Sequence, residues 1–179
     1  MSATRLHILM SCVRPQNIPK ISEYILECDP HPFEIRWHIL QQGPDPDPKG
    51  IRKVNEELDR IKDGWFWTAS DDAQHSKSLF RRLGETIAAN PECGVVVFSE
   101  RRDHKEGPIL HAHADNMRPC CVDGTQPIFR RDLIGDHRFD FDQYGDQCDG
   151  RFIQLIHQQH PDKFVFVDVV LMNFNSLQW

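Results

Sequence analysis

The sequence predicts an α/β layer fold with a largely parallel sheet. Three observations carry that prediction. Short apolar runs alternate with stretches of helical period. Breaker segments rich in Pro, Gly and Asn separate several of them. The 179 residues, 39% hydrophobic, suit one compact domain with a real core.

The first element is LHILMSCV, Leu6 to Val13, a short apolar run that reads as a buried strand. RPQNIP follows as a loop. Ile18, Ile21, Ile25 and Leu26 then recur at helical spacing, which predicts a helix over Ile18 to Cys28. FEIRWHILQ, Phe33 to Gln41, alternates apolar and polar residues and predicts a second strand. GPDPDPKG breaks the chain. Ile51, Val54, Leu58 and Ile61 share one face, so a helix is expected there. Trp65 to Ala69 is the third strand. Leu79, Phe80, Leu83 and Ile87 predict a helix over Lys77 to Asn90, ended by Asn90-Pro91. GVVVF, Gly94 to Phe98, is a fourth strand. Residues 99 to 119 are polar, rich in His and Arg, and give no firm period, which suits an irregular loop or a short hairpin. Gln126 to Phe129 is a short strand, Asp149 to His160 a helix, and KFVFVDVVLM, Lys163 to Met172, the last strand.

Bulk properties exclude several functions. The net charge is −6 with histidine neutral, which argues against a broad basic footprint for nucleic acid or anionic membrane. A local basic groove for a phosphorylated small molecule stays open. No stretch approaches the ~20 apolar residues of a membrane helix, and MSATRLHILMSCVRPQ has no long apolar core of a signal peptide. A soluble, cytoplasmic protein is therefore expected. The six cysteines contain no CxxC, and in that compartment free thiols are the default. Zinc at Cys120-Cys121 with His104, His111 and His113 is the minor alternative, because adjacent cysteines are poorly spaced to ligate one ion.

In sheets of this kind ligands bind beyond the carboxyl ends of the strands. That rim would hold Cys12 to Arg14, Gln41 to Asp45 and Ser70 to Asp72. Asp71 and Asp72 stand at the end of WFWTAS. Hard divalent cations such as Mg²⁺ or Mn²⁺ take oxygen ligands, often one or two carboxylates together with substrate phosphates. The alternative is a helix cap by Ser70 or Asp72 with the other carboxylate solvated. A second acidic run, DFDQYGDQCD, precedes the last helix. One of its acids could be a general base, or all of them could complement the helix dipole. Arg101-Arg102 and Arg130-Arg131 suit phosphate or solvated surface. Trp65 and Trp67 share a strand face, with core packing as their default role. His75 could support a metal rim or be an exposed first-turn residue.

In order, these segments resemble the family-2 glycosyltransferases with the GT-A fold, over most of the chain. LHILMSCVRPQNIPKISEYIL is similar to that family's opening strand, nucleotide loop and first helix. VNEELDRIKDGWFWTASDDAQH is similar to its Asn-containing helix and the strand ending in the acidic metal motif. GTQPIFRRDLIGDHRFD, GDQCDGRFIQLI and FVFVDVVLMNFNSL match the arginine segment, the late acidic motif and the closing strand. The resemblance implies one domain over residues 1–179, a three-layer α/β/α sandwich with a mixed, mostly parallel sheet. It implies transfer of a sugar from a nucleotide-diphosphate sugar, a UDP-sugar foremost, to a carbohydrate or other hydroxyl acceptor. That transfer would be metal-assisted and inverting, with Mn²⁺ or Mg²⁺ held by Asp72. Asp146 would be the catalytic base, with Asp149 as its rival. Cys12, Arg14, Gln42, Asn55, Asp71 and Arg130 would contact the nucleotide sugar. Ser70 stands where the family has its first acid, and Gln41-Gln42 where an acid usually closes the second strand, with Asp45 a substitute from the loop.

Two other classes remain. Ser70, Gln42 and the short region after the last strand suit a non-catalytic nucleotide-sugar-binding module. A metal-dependent phosphohydrolase would need more carboxylates clustered across strands, and the first strand ends in Ser-Cys-Val-Arg without one.

Overall fold

The computed structural model describes residues 4–27, 33–41, 50–102 and 107–177. Its strands are β1 (Thr4–Cys12), β2 (Phe33–Gln41), β3 (Trp65–Ser70), β4 (Gln74–His75), β5 (Val95–Arg101), β6 (Ile109–Leu110), β7 (Pro127–Arg130) and β8 (Phe164–Asn173). Its α-helices are α1 (Ile18–Leu26), α2 (Ile51–Arg60), α3 (Leu79–Ala89), α4 (Arg131–Ile134), α5 (Phe141–Tyr144) and α6 (Cys148–Gln159).

One sheet runs in the order β2-β1-β3-β7-β5-β8-β4, with β6 paired to β5. The expectation of a mostly parallel sheet is corrected here. The β1·β2, β1·β3 and β5·β8 ladders are parallel, whereas β3·β7, β5·β7, β4·β8 and β5·β6 are antiparallel. The strand over 127–130 inserts between β3 and β5 in the reverse direction. Two of the antiparallel strands, β4 and β6, have two residues each, too few to show a period of two in sequence. Within 99–119 the described residues pair β5 with β6, Arg101 opposite Ile109, and the stretch after β6 is irregular apart from a short 3-10 turn at Ala114–Asn116.

Side-chain alternation divides the core into the two inner faces of a three-layer sandwich. On one face Leu6, Ile8 and Met10 of β1 and Trp65, Trp67 and Ala69 of β3 meet Ile21 and Ile25 of α1 and Leu79, Phe80 and Leu83 of α3. On the other, Leu9, Phe66, Val95 and Val97 meet Val54 and Leu58 of α2 and Phe152, Ile153 and Ile156 of α6. Phe66 stacks on Phe129 at 5.2 Å between ring centroids, and Phe152 stacks on Phe139 at 4.3 Å. Trp65 and Trp67 are buried, packed in the core as their default role predicts.

Polar groups fix the helix ends. Arg131 donates through Nε to the carbonyls of Leu58 and Ile61 at 3.2 and 3.0 Å, serving carbonyls that end α2. Pro19 sits in the first turn of α1, where its missing N–H has no intrahelical partner to lose. The helix after β3 starts only at Leu79, with Ser78 at the cap position, so neither Ser70 nor Asp72 caps it. His75 is also not a first-turn residue. It is buried in β4, edge-on to Trp67 at 5.0 Å, and burial lowers its pKa to about 4.

Candidate functional site

A cleft of about 360 Å³ opens where β1 and β3 end. Its walls include Leu9, Ser11, Val13, Arg14, Ile51, Val54, Ser70, Asp71, Asp72, Asp123, Thr125 and Asp149. The register explains the meeting. β1 and β3 run parallel with Ser11 beside Ser70, so both chains leave the sheet at the same edge. The residues after each strand, Val13-Arg14 and Asp71-Asp72, therefore converge.

The convergence is tied by hydrogen bonds. The backbone N–H groups of Val13 and Arg14 both donate to Asp71 Oδ2, at 2.6 and 2.5 Å. Arg14 Nη1 donates to Asp71 Oδ1 at 2.9 Å and lies 3.1 Å from Asp72 Oδ2. Ser70 Oγ donates to Asp72 Oδ1 at 2.5 Å. Both aspartates are only 2% exposed. Burying two adjacent carboxylates is tolerable only where charge and hydrogen bonds compensate, and Arg14 supplies the charge.

The segment after β8 closes on the same floor. Asn17 Nδ2 donates to the carbonyls of Asp71 and Leu177 at 2.9 and 3.0 Å, and Leu177 N donates to the Asp72 carbonyl at 2.9 Å. Phe174 and Asn175 reach the cleft wall from this segment.

The far wall is the turn 123–125, pinned to β3. Trp67 Nε1 donates to the Thr125 carbonyl at 2.7 Å, and Thr68 Oγ1 to the Gly124 carbonyl at 2.5 Å. Asp123 Oδ1 accepts from Thr125 N and Thr125 Oγ1 at 3.0 and 2.8 Å. Gly124 N donates to Asp149 Oδ2 at 3.1 Å and brings the first turn of α6 to the cleft. A Cβ at Gly124 would lie 3.0 Å from Asp149 Cβ, so the glycine permits that approach. Behind the turn, Glu100 is fully buried, shares a hydrogen bond with Thr125 Oγ1 at 2.8 Å and lies 3.4 Å from Arg102 Nε. Burial and the nearby Asp123 push its pKa up to about 8.

The expected residues separate into groups. Arg14, Asp71, Asp72 and Asp149 share the cleft. Cys12 is buried at the end of β1 and, with Val13, Pro15 and Gln41, lines a neighbouring depression; burial raises its thiol pKa. Asp146 is exposed in the turn before α6, away from the cleft wall. Asn55 exchanges hydrogen bonds with the Phe139 backbone at 2.8 and 3.1 Å and joins α2 to the segment before α5. Arg130 lies opposite Trp65, at the other end of β3, because β7 runs antiparallel. There it donates to the Cys93 carbonyl and pairs with Asp132. Gln42 and Asp45 lie outside the described residues, as do Cys28 and His104. The other five cysteines are free thiols. Asp123, Gly124, Thr125 and Glu100 were not foreseen; the Asp-Gly pair just before a strand was the available turn signal.

No protein-family profile and no curated protein matches the sequence. Solved structures do. S. aureus TarS 1-349 in complex with UDP superposes with a TM-score of 0.64 at 11% identity, over 95% of this chain and 60% of that one. The same fragment in complex with UDP-GlcNAc gives 0.66 at 11% identity, over 95% and 58%. A glycosyltransferase involved in the glycosylation of the major capsid of PBCV-1 gives 0.52 at 9% identity, over 94% and 93%. The chain has the GT-A glycosyltransferase fold. It spans about 60% of the length of the TarS 1-349 fragments.

A GT-A fold implies a divalent cation at the acidic motif, and the residues here can be tested against it. Every carboxylate oxygen of Asp71 and Asp72 already faces a donor: two backbone amides, the Ser70 hydroxyl, and Arg14 twice. Among the described residues no group of three or more His, Cys, Asp or Glu side chains comes together to hold a metal. As arranged, the site does not fit Mn²⁺ or Mg²⁺. Among the described residues, too, no helix is long and apolar enough to cross a membrane.

Proposed function

We propose that this cleft binds a nucleotide-diphosphate sugar, a UDP-sugar foremost, and transfers the sugar to an acceptor hydroxyl with inversion, Asp149 acting as the base. The observation that carries the reading is that Arg14 and Asp149 line one cleft, which opens at the carboxyl ends of β1 and β3. The fold shared with glycosyltransferases solved with UDP and UDP-GlcNAc supports it.

Each wall has chemistry suited to one part of such a donor. Leu9, Val13, Ile51 and Val54 form an apolar shelf on which a base or sugar ring can lie. A guanidinium carries five N–H donors, and Arg14 Nη1 contacts both aspartates. Its side chain is 35% exposed and lines the cleft, within reach of a phosphate oxygen. Asp149, oriented by the Gly124 amide, takes the proton of the acceptor hydroxyl as that oxygen attacks the anomeric carbon and the nucleoside diphosphate departs. Glycosyl transfer passes through a cation-like centre and needs no protein nucleophile in a single displacement. Asp149 is preferred to Asp146 because it lines the cleft.

The test is Asp149→Asn with UDP-GlcNAc. Donor binding should stay within roughly twofold of wild type, while transfer or donor hydrolysis falls by ~10²-fold or more. Undiminished turnover in the variant rejects Asp149, and a wild type that binds neither UDP nor UDP-GlcNAc rejects the reading. Ser70, in the place of an acid, favours a second reading: a nucleotide-sugar-binding module that binds the donor and turns nothing over.

A further inference from the structure

The structure assigns to Arg14 the place of the cation in this site: its guanidinium is the resident counter-ion of Asp71 and Asp72 and excludes a divalent ion from them. The inference goes beyond the proposed function. It rests on geometry that holds whether or not the cleft takes a nucleotide sugar.

Three observations carry it. Arg14 Nη1 lies 2.9 Å from Asp71 Oδ1 and 3.1 Å from Asp72 Oδ2, so one nitrogen bridges the two carboxylates as a metal ion would. The remaining oxygens are also engaged, Asp71 Oδ2 by the amides of Val13 and Arg14, and Asp72 Oδ1 by Ser70. Mg²⁺ requires ligand oxygens at ~2.1 Å in near-octahedral geometry. To enter, an ion would have to displace a donor from each aspartate and sit against a fixed positive charge. Finally, Ser70 is neutral: two aspartates already leave one negative charge beyond what Arg14 balances, and a carboxylate at position 70 would double that excess. A serine hydroxyl donates to Asp72 and so suits a site whose cation is already present.

Arg14 is held there by more than its own charge. Its backbone N–H is bonded to the same Asp71 that its side chain pairs with. Backbone and side chain therefore anchor one another, and the guanidinium loses little rotamer freedom by staying.

Mn²⁺ itself is the probe, read by loss of its free-ion EPR signal on titration with wild type, Arg14→Ala and Arg14→Lys. Removal of the guanidinium should raise Mn²⁺ affinity by roughly tenfold or more. Arg14→Lys keeps a positive charge and should resemble wild type. A merely structural arginine would not make metal binding stronger when deleted. Arg14→Gln, which keeps a neutral donor toward Asp71, reads the same way if the alanine variant unfolds. Wild type binding Mn²⁺ as tightly as the neutral variants overturns the proposal, as does a gain in none of them. A parallel titration of wild type with UDP separates the two ideas. Uptake in chelator equal to that in Mn²⁺ supports the resident cation, and uptake only with Mn²⁺ overturns it. No uptake in either condition overturns the proposed function and leaves the Mn²⁺ comparison to decide Arg14.

Discussion

Trp67 and Thr125 join the floor of the sheet to the wall of the cleft. The indole lies in the core on one sheet face, yet its N–H donates to the Thr125 carbonyl at 2.7 Å. A residue selected for packing thus also sets the height of the turn that carries Asp123 and Gly124.

Trp67→Phe should keep most of the apolar contact and lose that bond. The Thr125 carbonyl is left without its buried donor, a cost of about 1–3 kcal/mol, with some cavity cost in addition. A lowered urea midpoint with unchanged slope is the expected readout. A midpoint equal to wild type would show that the bond contributes nothing.

Asp71→Asn should be more damaging than a one-atom change suggests. An amide cannot accept two backbone N–H groups on one side and the Arg14 guanidinium on the other, since one of its ends is a donor. Charged hydrogen bonds are worth ~1.5–3 kcal/mol each, so a loss of about 3 kcal/mol is expected in denaturant unfolding. Faster amide hydrogen exchange at Val13 and Arg14 should accompany it.

Glu100 makes stability fall on the alkaline side. Its folded pKa of about 8 lies above the ordinary carboxylate value of 4.5, so the folded protein holds a proton that the unfolded chain releases. The stabilisation is complete below about pH 4.5 and is lost as pH rises through about 8. At ~1.36 kcal/mol for each tenfold change in proton affinity, the effect is of the order of a few kcal/mol. Thermal unfolding of Glu100→Gln should be flatter than wild type between these limits, and the variant should be the more stable at the alkaline end. Parallel profiles for both proteins would exclude Glu100 as the source.

His75 works in the opposite sense. Its folded pKa, about 4, lies below the ordinary 6.5, so the stability it permits is present above pH 6.5 and lost as pH falls through about 4. Among the described residues neither ring nitrogen has a hydrogen-bond partner. His75→Met, of similar volume and without a buried polar atom, should raise the melting temperature at pH 6 and blunt the acid loss. A lower melting temperature with the acid slope intact would contradict this.

Much of this molecule was legible in its residues where a period is long enough to be read. β1, β2, β3, β5, β8 and the helices α1, α2, α3 and α6 each span several turns or alternations, and their ends fall close to where the pattern places them. Illegible were the pieces set by tertiary pairing. β4 carries two residues and owes its existence to Met172 and Asn173 opposite. Arg130 looked like a phosphate ligand because nothing in PIFRR tells that its strand runs backwards. Asp146 and Asp149 could not be ranked from DQCD, since only the folded chain sets Asp149 in the first turn of α6 against the Gly124 amide and Asp146 in the exposed turn before that helix. That Asp71-Asp72 and the loop after β1 share one rim followed from the placing of ligands beyond the carboxyl ends of strands. The identity of the partner, the Arg14 guanidinium with its own backbone amide, did not.

The bonds from Asn17 to both Asp71 and Leu177 have a consequence for synthesis. The cleft floor is assembled from residues near 15, near 71 and near 177, which leave the ribosome far apart in time. When Asp71 emerges, its lacing to the first loop can begin, but the Leu177 contacts must wait for more than a hundred further residues. β1, β2 and β3 can therefore pair early, whereas the floor of the cleft is sewn shut only after β8 has followed.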